Sequence, residues 1–496
     1  MPNTALGASD SAGGTVPHVK GSCSKGNSVS SAFSVLSARG RGAARLAAAA
    51  LVWGLATAGT IAAAGTAAAD ATPQSQGGAT ATIGELKTYG SAVIHDHGED
   101  SWVSAGLFEM SVDNGGTLQT YCIDLHNPTQ RDAKYQETSW SGTSLNGNKE
   151  AGRIRWILQN SYPQVNDLAA LAGKAGVTGL TEQDAAAGTQ VAIWRYSDGA
   201  DVDAANPRAE KLADYLQKNA RDLPEPEASL TLAPTAVSGH AGERLGPVTV
   251  HTNAGSVTVI PPTDIAAGGV KIVDRSGKTV TSAADGSRLY FDVPKDGADG
   301  SASLTVQAST TVPVGRAFTS ETRSQTQILA GSSESTVSAT VTANWAAKGA
   351  IPALSAQKNC AKGGVDITAA NTGDETFTFD LMGIEHTIAA GASQTITVPL
   401  QEDQAYDFTI AAPTGGEKRF KGVLDCKTQG GAGDLSAQTL SEPSPASVGG
   451  SSGGTDLAET GGSGTTPLIA GAAIALVMIG GAVVVLVGRK QTPPQS

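Results

Sequence analysis

Two apolar runs near the ends of the chain constrain it more than any other feature, because they fix where a folded body can lie. Pro467 to Gly488 is apolar throughout; at about 1.5 Å per residue it is long enough to cross a hydrocarbon core of roughly 30 Å. Arg489 and Lys490 follow it, the basic stop expected on a cytoplasmic side. At the other end, Arg39, Arg41 and Arg45 precede an Ala-rich run from Leu46 to Thr66 that closes in Ala67-Ala68-Ala69. Basic residues, an apolar stretch and small residues at a cut point make residues 1–69 a secretory signal peptide, cleaved after Ala69. No two arginines are adjacent there, which favours the general export route over the twin-arginine one.

The part between, from Asp70 to Thr460, has room for two or three domains. Its charge excludes one class of partner: the chain carries 34 Lys and Arg against 46 Asp and Glu, with no basic stripe, so nucleic acid is not expected. Aromatics at 4% and 61 glycines suit small-residue β modules with flexible joints.

Cysteine arithmetic narrows the search to one residue. Of the four cysteines, Cys23 lies upstream of the signal cut. Cys360 and Cys426 bracket a strand-rich stretch and make a natural disulfide in an oxidising compartment. Cys122 is left alone, and a lone thiol outside the cell oxidises unless it is buried or used.

Around Cys122, residues 83–126 alternate like strands, with Asn114-Gly115 as a hairpin turn. From Asn148 the spacing turns helical, with Ile154, Ile157 and Leu158 on one face. Thr181 and Asp184 form a capping box that opens a helix carrying Gln190, Ile193 and Trp194. Asn206-Pro207 opens another, with Leu212, Tyr215 and Leu216 buried. Residues 78–222 therefore read as an α+β domain.

Two stretches of that domain, Tyr121-Cys122-Ile123 followed by Asp124, and Thr189-Gln190-Val191-Ala192-Ile193-Trp194, resemble the Cys and Thr-Gln-x-Ala motifs of the thioester domains of Gram-positive surface proteins. The resemblance implies an internal thioester between Cys122 and Gln190, protected by Tyr121 and Trp194 and opened once by a lysine amine on a partner surface. That is acyl donation without turnover, so neither an enzyme nor a cofactor is expected. Asp124 and His126 are candidate proton acceptors, or else caps of the turn before Asn127-Pro128. A cysteine hydrolase built on Cys122 and His126 fits poorly. His95 and His97 flank Asp96, but without further ligands at a recognisable spacing no metal is expected.

After a stiff linker at Leu223–Glu227, residues 228–346 read as a β-sandwich of immunoglobulin type and 351–427 as a second one, stapled by Cys360–Cys426. Both are taken as stalk modules. No Lys, acid and Asn fall on the strands that an isopeptide bond would need. Residues 428–456 are a Gly/Ser-rich disordered spacer. Leu457-Ala458-Glu459-Thr460-Gly461 resembles a sortase signal of high-GC Gram-positive bacteria and, with the apolar run and basic tail up to residue 490, implies that Thr460 is joined to peptidoglycan. The whole then reads as a multidomain wall-anchored adhesin. The alternative is a non-covalent wall protein in which Cys122 is simply buried.

Overall fold

The computed structural model describes residues 77–96, 98–262, 269–413 and 417–428. The signal peptide, His97, all of the spacer beyond Thr428, the Leu457–Gly461 signal and the apolar run 467–488 lie outside them. Among the described residues no helix is long and apolar enough to cross a membrane.

Strand β1 (Thr80–Asp96) pairs along its length with β2 (Glu99–Val112). The chain then turns through Asn114 and Gly115, with φ of 67° and 119°, a left-handed conformation that these two residue types tolerate. It continues into β3 (Thr117–Cys122), which pairs with β2. Strand β4 (Lys134–Thr138) returns to the start of β1.

Helices follow: α1 (Ala151–Asn160), α2 (Leu168–Ala175), α3 (Glu182–Ser197), the short strand β5 (Val202–Ala204) and α4 (Pro207–Asn219). The capping box is present at Thr181 and Asp184, and Asn206 caps α4 with Pro207 in its first turn. Helix α3 is buried without a break from Asp184 to Trp194, as its Ala- and Gly-rich sequence allows. Gly188 permits this, since a Cβ there would come within 2.4 Å of the Ala209 carbonyl on α4.

The second module runs through β6 (Leu230–Ala233), β7 (Ala236–His240), β8 (Arg244–Thr252), β9 (Val257–Ile260), β10 (Lys271–Val273), β11 (Ser282–Ala283), β12 (Arg288–Asp292) and β13 (Gly300–Thr311). Strands β14 (Ala317–Ser320), β15 (Gln327–Ser332) and β16 (Glu334–Ala346) follow. Two sheets form, ordered β10-β12-β8-β6 and β11-β9-β13-β16-β7. In β13 and β16 alternate residues are buried, the period of a strand with one face on a core.

Strands β14 and β15 depart from the sequence reading. They lie in the 228–346 range assigned to a stalk module, yet β14 pairs with β4 and β15 pairs with β3. The pairings close into a ring of β1, β2, β3, β15, β14 and β4, with β5 beside β1. A single apolar core runs through both modules, from Ala79 to Trp345. The joint is held by Glu137, whose carboxylate accepts from Ala79 N, Ser229 N and Arg316 Nε at 3.1, 3.0 and 2.9 Å. Arg316 reaches on to Glu225 in the linker at 2.7 Å.

The third module has its own core. Strands β17 (Pro352–Asn359), β18 (Gly364–Asn371) and β21 (Ser393–Pro399) form one sheet. Strand β19 (Phe377–Leu381) pairs with β20 (Ile384–Ile388), and β22 (Ala405–Ala411) with β23 (Glu417–Val423). The expected disulfide joins Cys360 to Cys426 across 66 positions. This module folds back on the first two: Lys421 pairs with Glu321 at 2.7 Å, Arg323 Nε donates to the Asp403 carbonyl at 2.8 Å, and Thr428 Oγ1 lies 3.5 Å from the Ser197 carbonyl. The described chain thus ends against α3.

Candidate functional site

Cys122 closes β3 and is 3% exposed. It is the one free cysteine among the described residues. Burial pushes its thiol up to about 12, hydrogen bonds from Gln327 and Thr129 oppose this, and the charges of Asp124 and Asp198 add to it. At neutral pH the sulfur is therefore a protonated thiol, not a thiolate.

Two glutamines, both fully buried, meet this cysteine in different ways. Gln190, aimed by α3, holds its backbone: Gln190 Oε1 accepts from Cys122 N at 3.0 Å, and Gln190 Nε2 donates to the Cys122 carbonyl at 2.9 Å. Gln327 faces its sulfur. In the β3–β15 pairing Gln327 is directly opposite Cys122, so both side chains stand on one face of the ring. Gln327 Nε2 donates to Cys122 Sγ at 3.2 Å, and Thr120 Oγ1 donates to Gln327 Oε1 at 3.0 Å.

The segment before Gln327 is stitched to the strands around the cysteine. Ile123 N donates to Thr326 O at 3.1 Å, Thr129 Oγ1 to Gln325 Oε1 at 2.8 Å, and Tyr135 Oη to Gln325 O at 2.7 Å. Gln325 Nε2 in turn donates to the Asp124 carbonyl. Residues of β2, Phe108 among them, close a cavity of about 10 Å³ with Cys122, Gln190, Trp194 and Gln325, room for about one water. Cys122 and Gln190 are thus largely shielded from bulk water.

The other candidate residues do not all lie at this centre. Tyr121 Oη donates to the Tyr162 carbonyl at 2.8 Å. Thr189 Oγ1 donates to Ala185 O within α3, and Trp194 lines the cavity with its buried Nε1 unpartnered. Asp124 accepts from Asn127 Nδ2 across a turn, and its Oδ1 is buried without a partner. Burial and the nearby charges of Asp425 and Asp198 raise its pKa. His126 is half-buried, its pKa is lowered by that burial, and the carboxylate it feels is Asp96. His95 pairs with Asp100 at 2.7 Å and lies 3.5 Å from Asp203 on the surface.

Gln327, Gln325, Asp198 and Asp425 escape a reading of the sequence. Asp198 Oδ1 accepts from Leu125 N at 2.9 Å, and Asp425, from the third module, accepts from Thr326 Oγ1 at 2.5 Å. The local signal for Gln327 is the run Thr326-Gln327-Ile328-Leu329, a short strand in which a carboxamide sits between β-formers. Nothing local ties it to a cysteine 205 positions away.

A buried thiol here faces a buried carboxamide, and residues 119–222 match the family model described as a thioester domain. That match contains Cys122 and Gln190 and ends before Gln327. No curated protein matches the chain. Among solved structures, the chain is similar to the Bacillus anthracis TIE protein at 16% identity, over 70% of this chain and 63% of that one, with a TM-score of 0.25. It thus spans less than two thirds of that protein. The thioester domain of the Enterococcus faecium TIE86 protein is similar at 18% identity, over 54% of this chain and 96% of that one, with a TM-score of 0.26. The thioester domain of the Staphylococcus aureus TIE protein is similar at 13% identity, over 54% and 98%, with a TM-score of 0.16.

Proposed function

We propose that this protein is a surface adhesin that forms an internal thioester between Cys122 and Gln327 and reacts once with an amine, such as a lysine on a partner surface, to give a covalent amide. The observation that carries the reading is the contact of Gln327 Nε2 with Cys122 Sγ at 3.2 Å. Gln190, which the motif resemblance implies as the acyl partner, has both amide atoms engaged by the Cys122 backbone and serves here to position the nucleophile. Sortase anchoring through Thr460 to peptidoglycan, with the two later modules and a wall spacer between, completes the proposal. It rests on the Leu457–Gly461 signal, the apolar run 467–488 and the basic tail.

Intact-mass measurement of the purified full chain, followed by peptide mapping, tests the acyl partner. The wild type should be lighter than its sequence by one ammonia and should take up methylamine on Gln327. Gln327→Ala should lose both properties. Gln190→Ala should retain methylamine uptake in whatever fraction folds. The reverse pattern would return the thioester to Gln190. A wild-type mass equal to the sequence would leave the rival reading, a non-covalent wall protein with a buried Cys122.

A further inference from the structure

When the sulfur of Cys122 attacks the carbonyl carbon of Gln327, negative charge gathers on Oε1, in a place with almost no water to receive it. That oxygen already has a donor. Thr120 Oγ1 lies 3.0 Å from Gln327 Oε1, and both residues are fully buried. The orientation of the carboxamide follows from its surroundings: Nε2 lies 3.4 Å from the Gln325 carbonyl, which can only accept, so the oxygen is the atom turned to Thr120. Thr120 and Cys122 stand two residues apart on β3 and so share a face. The strand that carries the nucleophile carries the donor as well, and a β-branched side chain has few rotamers by which to leave.

We propose that Thr120 is a catalytic residue of the acyl chemistry, its hydroxyl stabilising the oxyanion on Gln327 when the thioester forms and again when an amine opens it. The proposal rests on the Cys122–Gln327 reading. In the first step the S–C bond forms, the C–N bond of the carboxamide breaks, and the thiol proton leaves on nitrogen as ammonia. In the second, the amine nitrogen bonds the same carbon, the C–S bond breaks, and a proton from the amine returns to sulfur. No oxidant or further reactant is needed. Negative charge builds on the carbonyl oxygen in both transition states, and Thr120 is the side chain that donates to it.

The test compares the wild type, Thr120→Val and Thr120→Ser as full chains. The readouts are thermal unfolding, the fraction carrying the ammonia deficit, and the second-order rate of methylamine uptake by that fraction. Thr120→Val, nearly isosteric, should fold yet form or open the thioester about 10²–10³-fold more slowly, while Thr120→Ser should stay within about tenfold of the wild type. A folded Thr120→Val that forms the thioester and takes up methylamine at wild-type rates overturns the proposal and leaves Thr120 a packing residue. Infrared spectroscopy of the wild type gives a check that needs no variant. Its thioester carbonyl band should lie below that of a simple alkyl thioester in an apolar solvent, and a band at the free position equally overturns the assignment. A wild type with no ammonia deficit fails differently, because it removes the thioester itself.

Discussion

Gln327 Nε2 stands 3.2 Å from Cys122 Sγ although 205 positions separate the two residues. The second module accounts for about half of that separation and the helices of the first for most of the rest. It leaves the first after α4, builds its own sheets, and returns β14 and β15 to close the ring. The module that holds Cys122 is therefore not a continuous stretch of chain, and a boundary at its last helix separates Cys122 from Gln327.

This gives a first prediction about fragments. A fragment of residues 70–227 keeps Cys122 and Gln190 but lacks β14 and β15, leaving β3 and β4 with unpaired edges. It should show no ammonia deficit, and its thiol should react readily with maleimide. A fragment of residues 70–346 should restore the deficit. Mass spectrometry on the two decides it; a deficit in the shorter fragment would place the acyl partner within residues 70–227.

Much of the first module is legible in the sequence, because local chemistry determines it. The Asn114-Gly115 turn, the Thr181 and Asp184 box, Pro207 at the start of α4 and the cysteine pair each act through neighbours or through elimination. Gln327 does not. Its partner is chosen by strand pairing across an inserted module, and register of that kind leaves only a short alternating run in the sequence. Gln190 draws attention through its resemblance to the Thr-Gln-x-Ala motif, and in the structure its carboxamide clamps the backbone of Cys122. The folding back of the third module rests on single contacts, such as Asp425 with Thr326, and side-chain pairs of that kind have no sequence period.

A second prediction concerns the thiol once its acyl partner is gone. In Gln327→Ala no thioester forms, and burial, which pushes the wild-type Cys122 thiol up to about 12, still raises it, with one opposing hydrogen bond lost. Against an exposed cysteine of pKa about 8.5, the thiolate fraction at about pH 8 falls more than about a thousandfold. Iodoacetamide should therefore modify folded Gln327→Ala slowly and the urea-unfolded variant fast. Equal rates would mean that the cavity opens freely.

A third concerns pH. Burial raises the carboxyl of Asp198 from 3.8 to about 6, partly opposed by hydrogen bonds from Ser197 and Leu125. Between those values the folded state keeps a proton that the unfolded chain has lost, so stability falls as pH rises through this window and levels off above it. The raised carboxyls of Asp124 and Asp425 add slope of the same sign. Asp198→Asn keeps an acceptor for Leu125 N and removes the Asp198 part, at most about 3 kcal/mol and less for a half-buried group. Urea midpoints taken from about pH 4 to pH 7 should flatten in the variant. An unchanged slope would assign the effect to the other carboxyls.

The last prediction is about what keeps β14 in the ring. Glu137 is 1% exposed and accepts from Ala79, Ser229 and Arg316, while Arg316 also reaches Glu225. One carboxylate thus ties β4, the entry to β1, the linker and β14 together. Glu137→Ala would leave the Arg316 guanidinium buried without that partner and two backbone N–H groups unmatched. Removing one partner of a buried pair costs about 3–5 kcal/mol. Because the cost falls where the returning hairpin docks, the variant should lose both the ammonia deficit and cooperative unfolding of the first two modules, while the third, with its own core and disulfide, keeps its transition. Denaturant melts followed by circular dichroism, beside intact mass, would read both effects. A Glu137→Ala protein that melts like the wild type and still carries the thioester would show that the hairpin is held by strand pairing and apolar packing alone.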